Sequence, residues 1–485
     1  MKLRMVWPRA VAWCNRARTG MLALAATGAL ALTAATALAP GGPVVGAQAA
    51  ALSAAPTTTQ VRTPPLPELL RGAAPAPVAS SGVAVPATAA PTLALQFLDG
   101  VFCTSRTSCW AVGAQNGAGG VGFLNQAMHW NGSKWRKASV PNPGGTGTDS
   151  LSELFAVRCV AKANCWAVGV HSSGSAQLDE ALHWNGKKWT AVRTPNPGGK
   201  GNGGISELED STCVTAADCW AVGDFGSGTQ GPTEKRINQI LHWNGKKWTR
   251  LVVVNPGGTR LGHVNTLFSV RCFSAADCIA VGDYGTTSGS GILRNQALHW
   301  NGKKWSLVNT PNPGSTKSGG LNEVFALGCG ATDNCWGAGS YGSTNPPGKN
   351  LNEILHWNGK NWTKTAAPNP DGTKAGKANQ LDAATCVSSA NCWAVGNFGS
   401  TTVGTGVGRN EALHWNGRKW ARVKTPNPAG TATGDVNALL AVRCLSSGNC
   451  WAVGVLESLT NGIRDGILHW NGKKWSDVQL FSLSG

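Results

Sequence analysis

The sequence predicts an all-β fold, a seven-bladed β-propeller of four-stranded antiparallel blades with one disulfide in each blade. Fourteen of the 15 cysteines form seven pairs of spacing C-x5-C, and each pair opens a block of roughly 57 residues. Most pairs are followed by Trp-Ala-Val-Gly, and every block carries a His-Trp-Asn-Gly motif further on. Two signatures in strict alternation indicate a repeat architecture. The pairs are Cys103/Cys109, Cys159/Cys165, Cys213/Cys219, Cys272/Cys278, Cys329/Cys335, Cys386/Cys392 and Cys444/Cys450.

Each block divides into four short apolar segments separated by turn residues, as the block 321–376 shows. Its first strand is predicted at 324–329 and its second at 335–339, joined by a loop that the cystine closes. The third strand is predicted at 353–357 and the fourth at 362–366, with Asn358-Gly359 forming a two-residue type I′ turn. Prolines then end the fourth strand, because proline cannot donate a hydrogen bond to a sheet.

A four-stranded sheet of this kind has two apolar faces and cannot cover either one alone. Packing seven such sheets around an axis places each between two neighbours and leaves only short edges exposed. The alternative, a linear β-solenoid, is built from coils far shorter than these blocks. Block length and strand count therefore favour the propeller.

Tryptophans and histidines recur at fixed blade positions. One Trp follows the second cysteine in six blades, and Ile279 takes its place in blade 4. Two more Trp flank the Asn-Gly turn in every blade. This placement predicts packing between neighbouring blades, with a sugar-stacking platform on each blade as the alternative. One His per blade is expected to make a hydrogen bond within its own blade. Neither the histidines nor the cysteines have metal-site spacing, so we predict no metal and no cofactor.

The first 49 residues have the layout of an export signal, with basic residues, an apolar stretch at 21–39 and a candidate cleavage site at Ala47-Gln48-Ala49. An uncleaved membrane anchor is the alternative, because the apolar stretch approaches the length of a bilayer span. Residues 50–91 are rich in Ala, Pro, Thr and Ser, which predicts a linker, and residues 92–485 hold the predicted propeller. Paired cysteines fit an oxidising compartment, so we expect a secreted or cell-surface protein.

The chain carries a net charge of +18. A basic exported protein favours anionic partners such as cell-envelope polymers or acidic polysaccharides, and its location argues against nucleic acid. Lysines cluster after the Asn-Gly motif, which predicts a basic rim. Such a rim suits adhesion to an anionic polymer, and it also suits the role of lysine in preventing edge-to-edge pairing of sheets.

Loops on one face of the predicted propeller are candidates for ligand binding. Antiparallel order places the first and third turns of every blade on one face, and the second turn and the crossover to the next blade on the other. After the second strand, four consecutive blades carry a small polar residue beside an aromatic one. That pair suits a hydroxyl-rich ligand, and an Asx turn beside a packed aromatic is the structural alternative. The predicted ligand-binding residues are Asp224, Phe225, Asp283, Tyr284, Ser340, Tyr341, Asn397 and Phe398.

The assembled motif is L-x-x-V-x-C-x5-C-W-A-V-G followed by A-L-H-W-N-G-K-K-W. It resembles the repeats of secreted bacterial β-propellers, which are broadly similar to kelch and Asp-box proteins, and those of exported actinobacterial propellers. The resemblance covers residues 93–480. It implies an extracellular location and no particular activity.

Catalysis in a propeller needs acids, arginines or histidines from several blades to meet at the central channel. Acidic residues total 24 and are scattered, and Asp99, Asp210 and Asp382 are those placed near the innermost strand. We therefore predict a non-catalytic protein that binds a cell-envelope or extracellular polysaccharide through loops on one face. One alternative is a scaffold for protein partners, which predicts an apolar patch. The other is a propeller glycosidase or polysaccharide lyase, which predicts charged residues of at least three blades at the channel.

Overall fold

The computed structural model describes residues 95–479, except 118–119, 121, 229–232, 287–290, 345–347 and 401–405. The predicted signal peptide at 1–49 and linker at 50–91 lie outside the described residues. Within the described part, no helix is long and apolar enough to cross a membrane. The same part forms 28 β-strands.

The strands follow in chain order as seven groups of four, and we call each group a blade and its strands a to d. Strands a to c have 8 to 12 residues, and strand d has three or four. The first four blades are β1 (Gln96–Ser105), β2 (Ser108–Asn116), β3 (Phe123–Trp130) and β4 (Trp135–Lys137); β5 (Ser152–Ala161), β6 (Asn164–Ser173), β7 (Ala176–Trp184) and β8 (Trp189–Ala191); β9 (Gly204–Thr215), β10 (Asp218–Ser227), β11 (Lys235–Trp243) and β12 (Trp248–Leu251); and β13 (His263–Ser274), β14 (Asp277–Thr286), β15 (Ile292–Trp300) and β16 (Trp305–Val308). The last three blades are β17 (Gly320–Ala331), β18 (Asn334–Ser343), β19 (Lys349–Trp357) and β20 (Trp362–Thr365); β21 (Asn379–Ser388), β22 (Asn391–Ser400), β23 (Val407–Trp415) and β24 (Trp420–Arg422); and β25 (Val436–Ser446), β26 (Asn449–Ser458), β27 (Gly462–Trp470) and β28 (Trp475–Asp477).

Neighbouring strands within each blade pair antiparallel in the order a-b-c-d. Blades 2, 3 and 4 share one 12-stranded sheet because single parallel bridges join Gln177 to Ile205 and Lys235 to His263. The predicted all-β class and four-stranded antiparallel sheets are confirmed. In blade 5, strands a to c are longer than predicted, and strand a covers Gly320–Ala331 rather than 324–329. Strand d ends one residue earlier than predicted, at Thr365.

Each blade carries one disulfide, as predicted, and it joins strand a to strand b. In blade 1, Cys103 lies directly opposite Cys109, and their Cα atoms are 3.9 Å apart. The bridge sits beside the a–b turn and therefore fixes one end of the hairpin.

The second cysteine of every pair lies in the hydrophobic core and not on a surface that a ligand could reach. Each is at most 1% exposed, because it begins the buried part of strand b, and each packs with apolar side chains of its own and a neighbouring blade. The pairs are therefore structural, and these residues contribute nothing to a binding surface. The buried second cysteines are Cys109, Cys165, Cys219, Cys278, Cys335, Cys392 and Cys450.

The first strands of the blades form a closed inner ring. Strand a of each blade contacts strand a of the next, and β1 contacts β25. All four strands of every blade come from one continuous segment, so blade 7 closes on blade 1 by packing rather than by exchange of a strand. A parallel bridge between Leu95 and Ile463 adds to this closure. The arrangement is propeller-like, and we call the space inside the ring the channel.

Tryptophans hold neighbouring blades together. The ring centroid of Trp393 in blade 6 lies 4.9 Å from that of Trp470 and 5.3 Å from that of Trp475, both in blade 7. The same contact of three rings recurs at five other interfaces, including the closure, where Trp451 meets Trp130. Packing between blades is therefore the role of these tryptophans.

Blade 4 follows the same arrangement with a smaller side chain. Ile279 is 2% exposed and packs in one cluster with Trp357 and Trp362 of blade 5. Trp357 is 5% exposed, whereas its counterparts in the other blades are half-buried. The deeper burial of Trp357 accompanies the smaller residue opposite it.

The histidine of strand c makes the predicted hydrogen bond inside its own blade in six blades. In blade 5 the prediction is wrong, because His356 Nε2 is buried without a hydrogen-bond partner among the described residues. His242 Nε2 lies 2.9 Å from Asp218 Oδ1, and His299 Nε2 lies 2.9 Å from Asp277 Oδ1. Among the described residues, no group of three or more His, Cys, Asp or Glu side chains could hold a metal ion. The repeated histidine thus joins strand c to the first residue of strand b.

The Asn-Gly motif forms a different turn from the predicted one. In blade 5, four residues (358–361) separate strands c and d, rather than two. Asn358 Oδ1 accepts hydrogen bonds from the backbone N–H groups two and three residues later, at 3.0 and 2.8 Å. Gly359 has a φ of 87°, and a Cβ atom there would lie 2.9 Å from Cβ of Asp333 in the a–b turn. An Asx turn therefore explains the Asn, and close contact with positive φ explains the Gly.

These contacts place the a–b and c–d turns of each blade on one side, which we call the disulfide face. The other side, which we call the crossover face, carries the b–c loops and the connections between blades. Asparagines fix those connections: Asn369 Oδ1 accepts the backbone N–H of Asn352 at 2.8 Å, and Asn379 Oδ1 accepts that of Asp371 at 2.9 Å. The crossover is thus bonded to both blades that it joins.

Candidate binding surfaces

Every blade contributes a basic residue to the disulfide face. The Asx turn holds one or two Lys or Arg side chains within two residues after the Asn-Gly motif, and all of them are exposed. Within the described residues, none of them forms an ion pair. We call this set the basic turns: Lys134, Lys187, Lys188, Lys246, Lys247, Lys303, Lys304, Lys360, Arg418, Lys419, Lys473 and Lys474.

The residues predicted to bind a ligand lie in strand b, and their predicted placement in loops is wrong. Strand b runs through the polar-aromatic pair in all four blades, because it is held on both sides by strands a and c. The polar members Asp224, Asp283, Ser340 and Asn397 are at most 4% exposed. Ligand binding by these residues stays a prediction.

Asp224 belongs to a buried ionic cluster of blade 3. Its Oδ1 lies 2.9 Å from Nη1 of Arg236, and its Oδ2 accepts a 3.1 Å hydrogen bond from Thr266 of blade 4. The Arg236 side chain is 5% exposed and also contacts Glu207 at 3.5 Å and Glu234 at 3.2 Å. The Asp224 carboxylate is therefore occupied by a structural partner.

Three of the four aromatic members lie against cations of strand d in their own blade. Arg250 Cζ is 5.0 Å from the ring centroid of Phe225. Lys364 Nζ is 4.2 Å from that of Tyr341 and donates a 3.1 Å hydrogen bond to its Oη. Arg422 Cζ is 4.6 Å from that of Phe398. A sugar could stack on these rings only by displacing the cation.

The crossover face of blade 2 carries a pocket of about 460 Å³. His171, Asp179, Glu180, Arg193 and Lys200 contribute to its wall. Blade interfaces engage one oxygen of each acid, because Gln239 donates a 2.5 Å hydrogen bond to Asp179 Oδ2 and Asn125 donates one to Glu180 Oε1. Arg193 and Lys200 are exposed. The volume suits a small ligand, and the variable segment around His171 is the sequence signal for this pocket.

The three acids predicted near the innermost strand lie in three different environments. Asp99 interrupts the pairing of strand a as a bulge, and burial followed by the charge of Asp465 in blade 7 raises its pKa well above the usual range. Asp382 forms the equivalent bulge in blade 6 and accepts a 2.6 Å hydrogen bond from Gln380. Glu209 holds this bulge position in blade 3 and was not predicted, although it also lies four residues before a first cysteine.

Asp210 links blade 3 to blade 4. It accepts hydrogen bonds from Ser269 Oγ at 2.8 Å, from the backbone N–H of Val270 at 3.2 Å and from Arg271 at 2.9 Å. Burial alone would raise its pKa, but Arg158, Arg271 and these hydrogen bonds lower it below the usual value. Asp210 is therefore a charged, fully engaged carboxylate.

Exposed apolar side chains are few within the described residues. Val252, Val254 and Leu261 lie in the single crossover between blades 3 and 4, and their exposed fractions are 87%, 43% and 62%. The remaining ones are Val160, Leu307, Val387 and Leu459. Scattered exposed apolar residues are normal on soluble proteins, so only this crossover resembles the patch that a protein scaffold predicts.

No protein-family model matches this chain. No curated protein is similar to it in sequence.

Solved structures show a distant likeness. The β-propeller domain of the Trilobed protease from Pyrococcus furiosus, described as having an open velcro topology, is 9% identical with a TM-score of 0.44, over 80% of this chain and 99% of that one. The fucose-specific lectin from Aleuria aurantia is 12% identical with a TM-score of 0.39, over 80% and 96%. A PL25 ulvan lyase bound to -[GlcA(1-4)Rha3S]- is 12% identical with a TM-score of 0.41, over 66% and 81%. At these scores, the likeness carries no argument about activity.

Proposed function

We propose that this chain is an exported seven-bladed β-propeller that binds an acidic polysaccharide, or another anionic polymer of the cell envelope, without changing it chemically. The observation that carries the proposal is the set of basic turns, which every blade presents on the disulfide face. A long polyanion can contact several blades at once, and linked weak contacts give strong overall binding. The seven disulfides support an extracellular location for this activity.

The position of the lysines favours binding over a role limited to solubility. Charges that protect a sheet edge lie along strand d, as Arg250, Lys364 and Arg422 do. The basic turns are additional to these cations, and they lie before strand d in every blade. A surface built for solubility alone mixes both signs of charge, and these turns contain no acid. Two acids near this face, Asp218 and Asp277 at the start of strand b, are bound to histidines.

An enzyme acting on such a polymer is the second candidate, because charged side chains do meet at the channel. Arg158, Asp210 and Arg271 come from three consecutive blades. Proton transfer, however, needs a group whose pKa lies near the working pH, and the pKa of Asp210 is lowered. The arrangement suits binding of a negative charge better than acid–base chemistry.

The test measures binding of the purified protein to polygalacturonate and to neutral dextran at physiological salt. We expect binding to the acidic polymer alone. In the variant Lys187→Gln/Lys188→Gln/Lys246→Gln/Lys247→Gln, two adjacent blades lose their basic turns, and affinity should fall on the order of tenfold or more. Incubation with the polymer should release no reducing sugar ends and no unsaturated products.

A matched variant removes the same charge from the crossover face: Lys200→Gln/Arg260→Gln/Lys317→Gln/Lys374→Gln, all at exposed positions. We expect it to bind polygalacturonate as the unmodified protein does. An equal loss in both variants would mean that net charge alone attracts the polymer. Release of unsaturated products would establish a lyase instead.

A further inference from the structure

Three arginines occupy one structural position in three blades. Arg158 in blade 2, Arg271 in blade 4 and Arg443 in blade 7 each precede the first cysteine of their blade. That position lies near the end of strand a, so each arginine belongs to the inner ring close to the disulfide face. The sequence places arginine there in these blades only, and Phe102 holds the position in blade 1.

Contacts link the three arginines through blades 1 and 3. Arg158 Nη2 is 3.6 Å from Asp210 Oδ1, and Arg271 Nη1 is 2.9 Å from Asp210 Oδ2. On the other side, the Cζ atoms of Arg443 and Arg158 lie 4.4 and 5.4 Å from the ring centroid of Phe102. The chain of contacts therefore runs through five consecutive blades, from blade 7 to blade 4.

Arg158 links the other two arginines, because it shares Asp210 with Arg271 and the ring of Phe102 with Arg443. Burial, and then the charge of Arg271, lower the pKa of Arg443. We call Arg158, Arg271 and Arg443 the channel arginines.

Positive charge exceeds negative charge at this place. Asp210 is the carboxylate that contacts the channel arginines among the described residues, and its oxygens also accept hydrogen bonds from Ser211, Ser269 and Val270. No acidic side chain of the described part lies within ion-pair distance of Arg443, and the Nε of Arg443 is buried without a hydrogen-bond partner there.

The pKa values follow from this crowding. Burial and then the charge of Arg271 lower the pKa of Arg158 to about 9, against the opposing effect of Asp210. Burial and then the same neighbour lower the pKa of Arg443 to about 10. An anion at the channel would relieve both the repulsion and the unmet hydrogen bonding.

We propose that the channel arginines bind one oxyanion, a carboxylate, sulfate or phosphate group, at the disulfide end of the channel. The basic turns are almost all lysine, whereas this position carries arginine in all three blades. The planar guanidinium is the group that holds such oxyanions with paired hydrogen bonds, and it stacks on an aromatic ring as Arg443 does on Phe102. The inference stands apart from polymer binding, because a free anion satisfies the same donors.

The test titrates the full purified chain calorimetrically with sodium phosphate, sodium sulfate or sodium galacturonate, with sodium chloride keeping the ionic strength constant. We expect saturable binding of one equivalent of at least one of them. Arg443→Gln should weaken it by about tenfold or more, since hydrogen bonds to charged groups are lost. Arg443 is the residue to change because its loss leaves no carboxylate unpaired.

Two further variants make the outcome decisive. Lys473→Gln removes one charge from a basic turn and should bind the small anion as the unmodified protein does. Arg443→Lys keeps the charge without the planar fork and should bind with intermediate affinity, and circular dichroism checks that each variant is folded. Absence of binding for all three anions, or equal binding by Arg443→Gln, would overturn the proposal.

The relative affinities of the three anions identify the occupant. Tightest binding of galacturonate indicates the carboxylate of an acidic sugar. Tightest binding of phosphate or sulfate indicates either the free ion or a phosphate or sulfate ester carried by a polymer. Failure of this site is distinguishable from failure of polymer binding. The four-lysine variant of blades 2 and 3 should lose polygalacturonate while keeping the small anion.

Discussion

The side-chain amide of Asn295 in blade 4 donates a 2.6 Å hydrogen bond to Oε1 of Glu353 in blade 5. Both residues are buried, in the same segment of strand c that precedes the His-Trp motif. Asn295 also donates to the carbonyl of Pro311 in its own crossover. One amide thus joins a blade, its exit loop and the next blade.

Equivalent pairs connect other blades, and their members are chemically complementary. Where strand c carries Asn, the next blade carries Glu or Gln, and where it carries Asp, the next blade carries Gln. At the one exception, Asn410 faces blade 7 at Gly466, where Leu456 Cγ lies 3.2 Å from the site of an added Cβ. The other pairs are Asn125–Glu180, Asp179–Gln239, Asn238–Gln296, Asn352–Glu411 and Asp465–Gln126.

The first prediction concerns the Asn295–Glu353 pair, whose Asn–Glu combination is changed to the Asp–Gln combination found at other interfaces. Asn295→Asp places a carboxylate opposite Glu353 and should destabilise by about 2–4 kcal/mol at pH 8, because two buried acids then lack a donor. Glu353→Gln should cost little, since Asn238 and Gln296 form such a pair naturally. The double variant recreates the Asp179–Gln239 pair and should recover most of the loss. Urea unfolding measures all four proteins, and a double variant no more stable than Asn295→Asp would contradict complementarity.

The second prediction concerns pH. Burial raises the pKa of Glu180, Glu353 and Glu411 well above the usual range, and raises that of Asp465 to about 7. The folded state therefore holds protons that the unfolded chain releases above pH of about 4–4.5. Stability should fall as pH rises from about 5 to 8, by up to about 1.4 kcal/mol per pH unit for each group still titrating.

Below pH 4 the opposite effect begins, because Asp210 has a lowered pKa and loses its ion pairs when protonated. Urea midpoints at several pH values test this expected maximum near pH 4–5. The variant Glu353→Gln/Glu411→Gln should show a shallower decline toward pH 8. A stability that increases between pH 5 and 8 would show that these carboxyls are ionised in the folded protein.

The sequence predicts the blade well because its main features are local. Cysteine pairs, Asn-Gly turns and prolines mark the ends of strands, and repeated tryptophans mark the surfaces between blades. The prediction fails at Asp224 and its counterparts, where strand b continues through residues that resemble a loop. Asp224 is paired there with Arg236 of its own blade and with Thr266 of blade 4. These partners lie 12 and 42 residues away in the sequence, so the local pattern around strand b cannot show them.

Comparison of the seven copies contains more information than one copy does. The pairing of Asn with Glu, and of Asp with Gln, is visible when consecutive repeats are aligned on the His-Trp motif. The channel arginines are visible in the same way, as one position before the first cysteine. The sequence does not show that these arginines lie close together, because that depends on the closure of the ring between blades 7 and 1.

The third prediction tests that closure. Trp393→Ala removes contacts with Trp470 and Trp475 and should destabilise by about 3–5 kcal/mol, as for other buried aromatic residues. Trp451→Ala should cost a similar amount, because it packs equally against Trp130 and Trp135 of blade 1. Thermal unfolding measures both. A neutral Trp451→Ala beside a damaging Trp393→Ala would mean that blades 7 and 1 are not held together in solution.

The fourth prediction concerns the disulfides. Each closes a loop with a sequence separation of 6, so the chain-entropy model gives about 2 kcal/mol per bridge. Cys329→Ala/Cys335→Ala should therefore lower stability by about that amount while leaving the far-ultraviolet spectrum unchanged. Full reduction should destabilise far more, since seven such bridges are lost. If the variant that lacks only the Cys329–Cys335 bridge fails to fold, the bridge is needed to form the blade.

The last prediction separates the roles of the polar and aromatic residues in strand b. Asp224→Ala leaves Arg236 without its closest partner, so we expect a loss of about 3 kcal/mol whether or not a ligand binds there. Tyr284 is half-buried, and its truncation should leave the fold intact. If this strand binds a sugar, Tyr284→Ala weakens binding on a glycan array while its urea midpoint stays near that of the unmodified protein. Unchanged binding in Tyr284→Ala, with weakened binding in the variant that lacks the four lysines of blades 2 and 3, would assign recognition to the disulfide face.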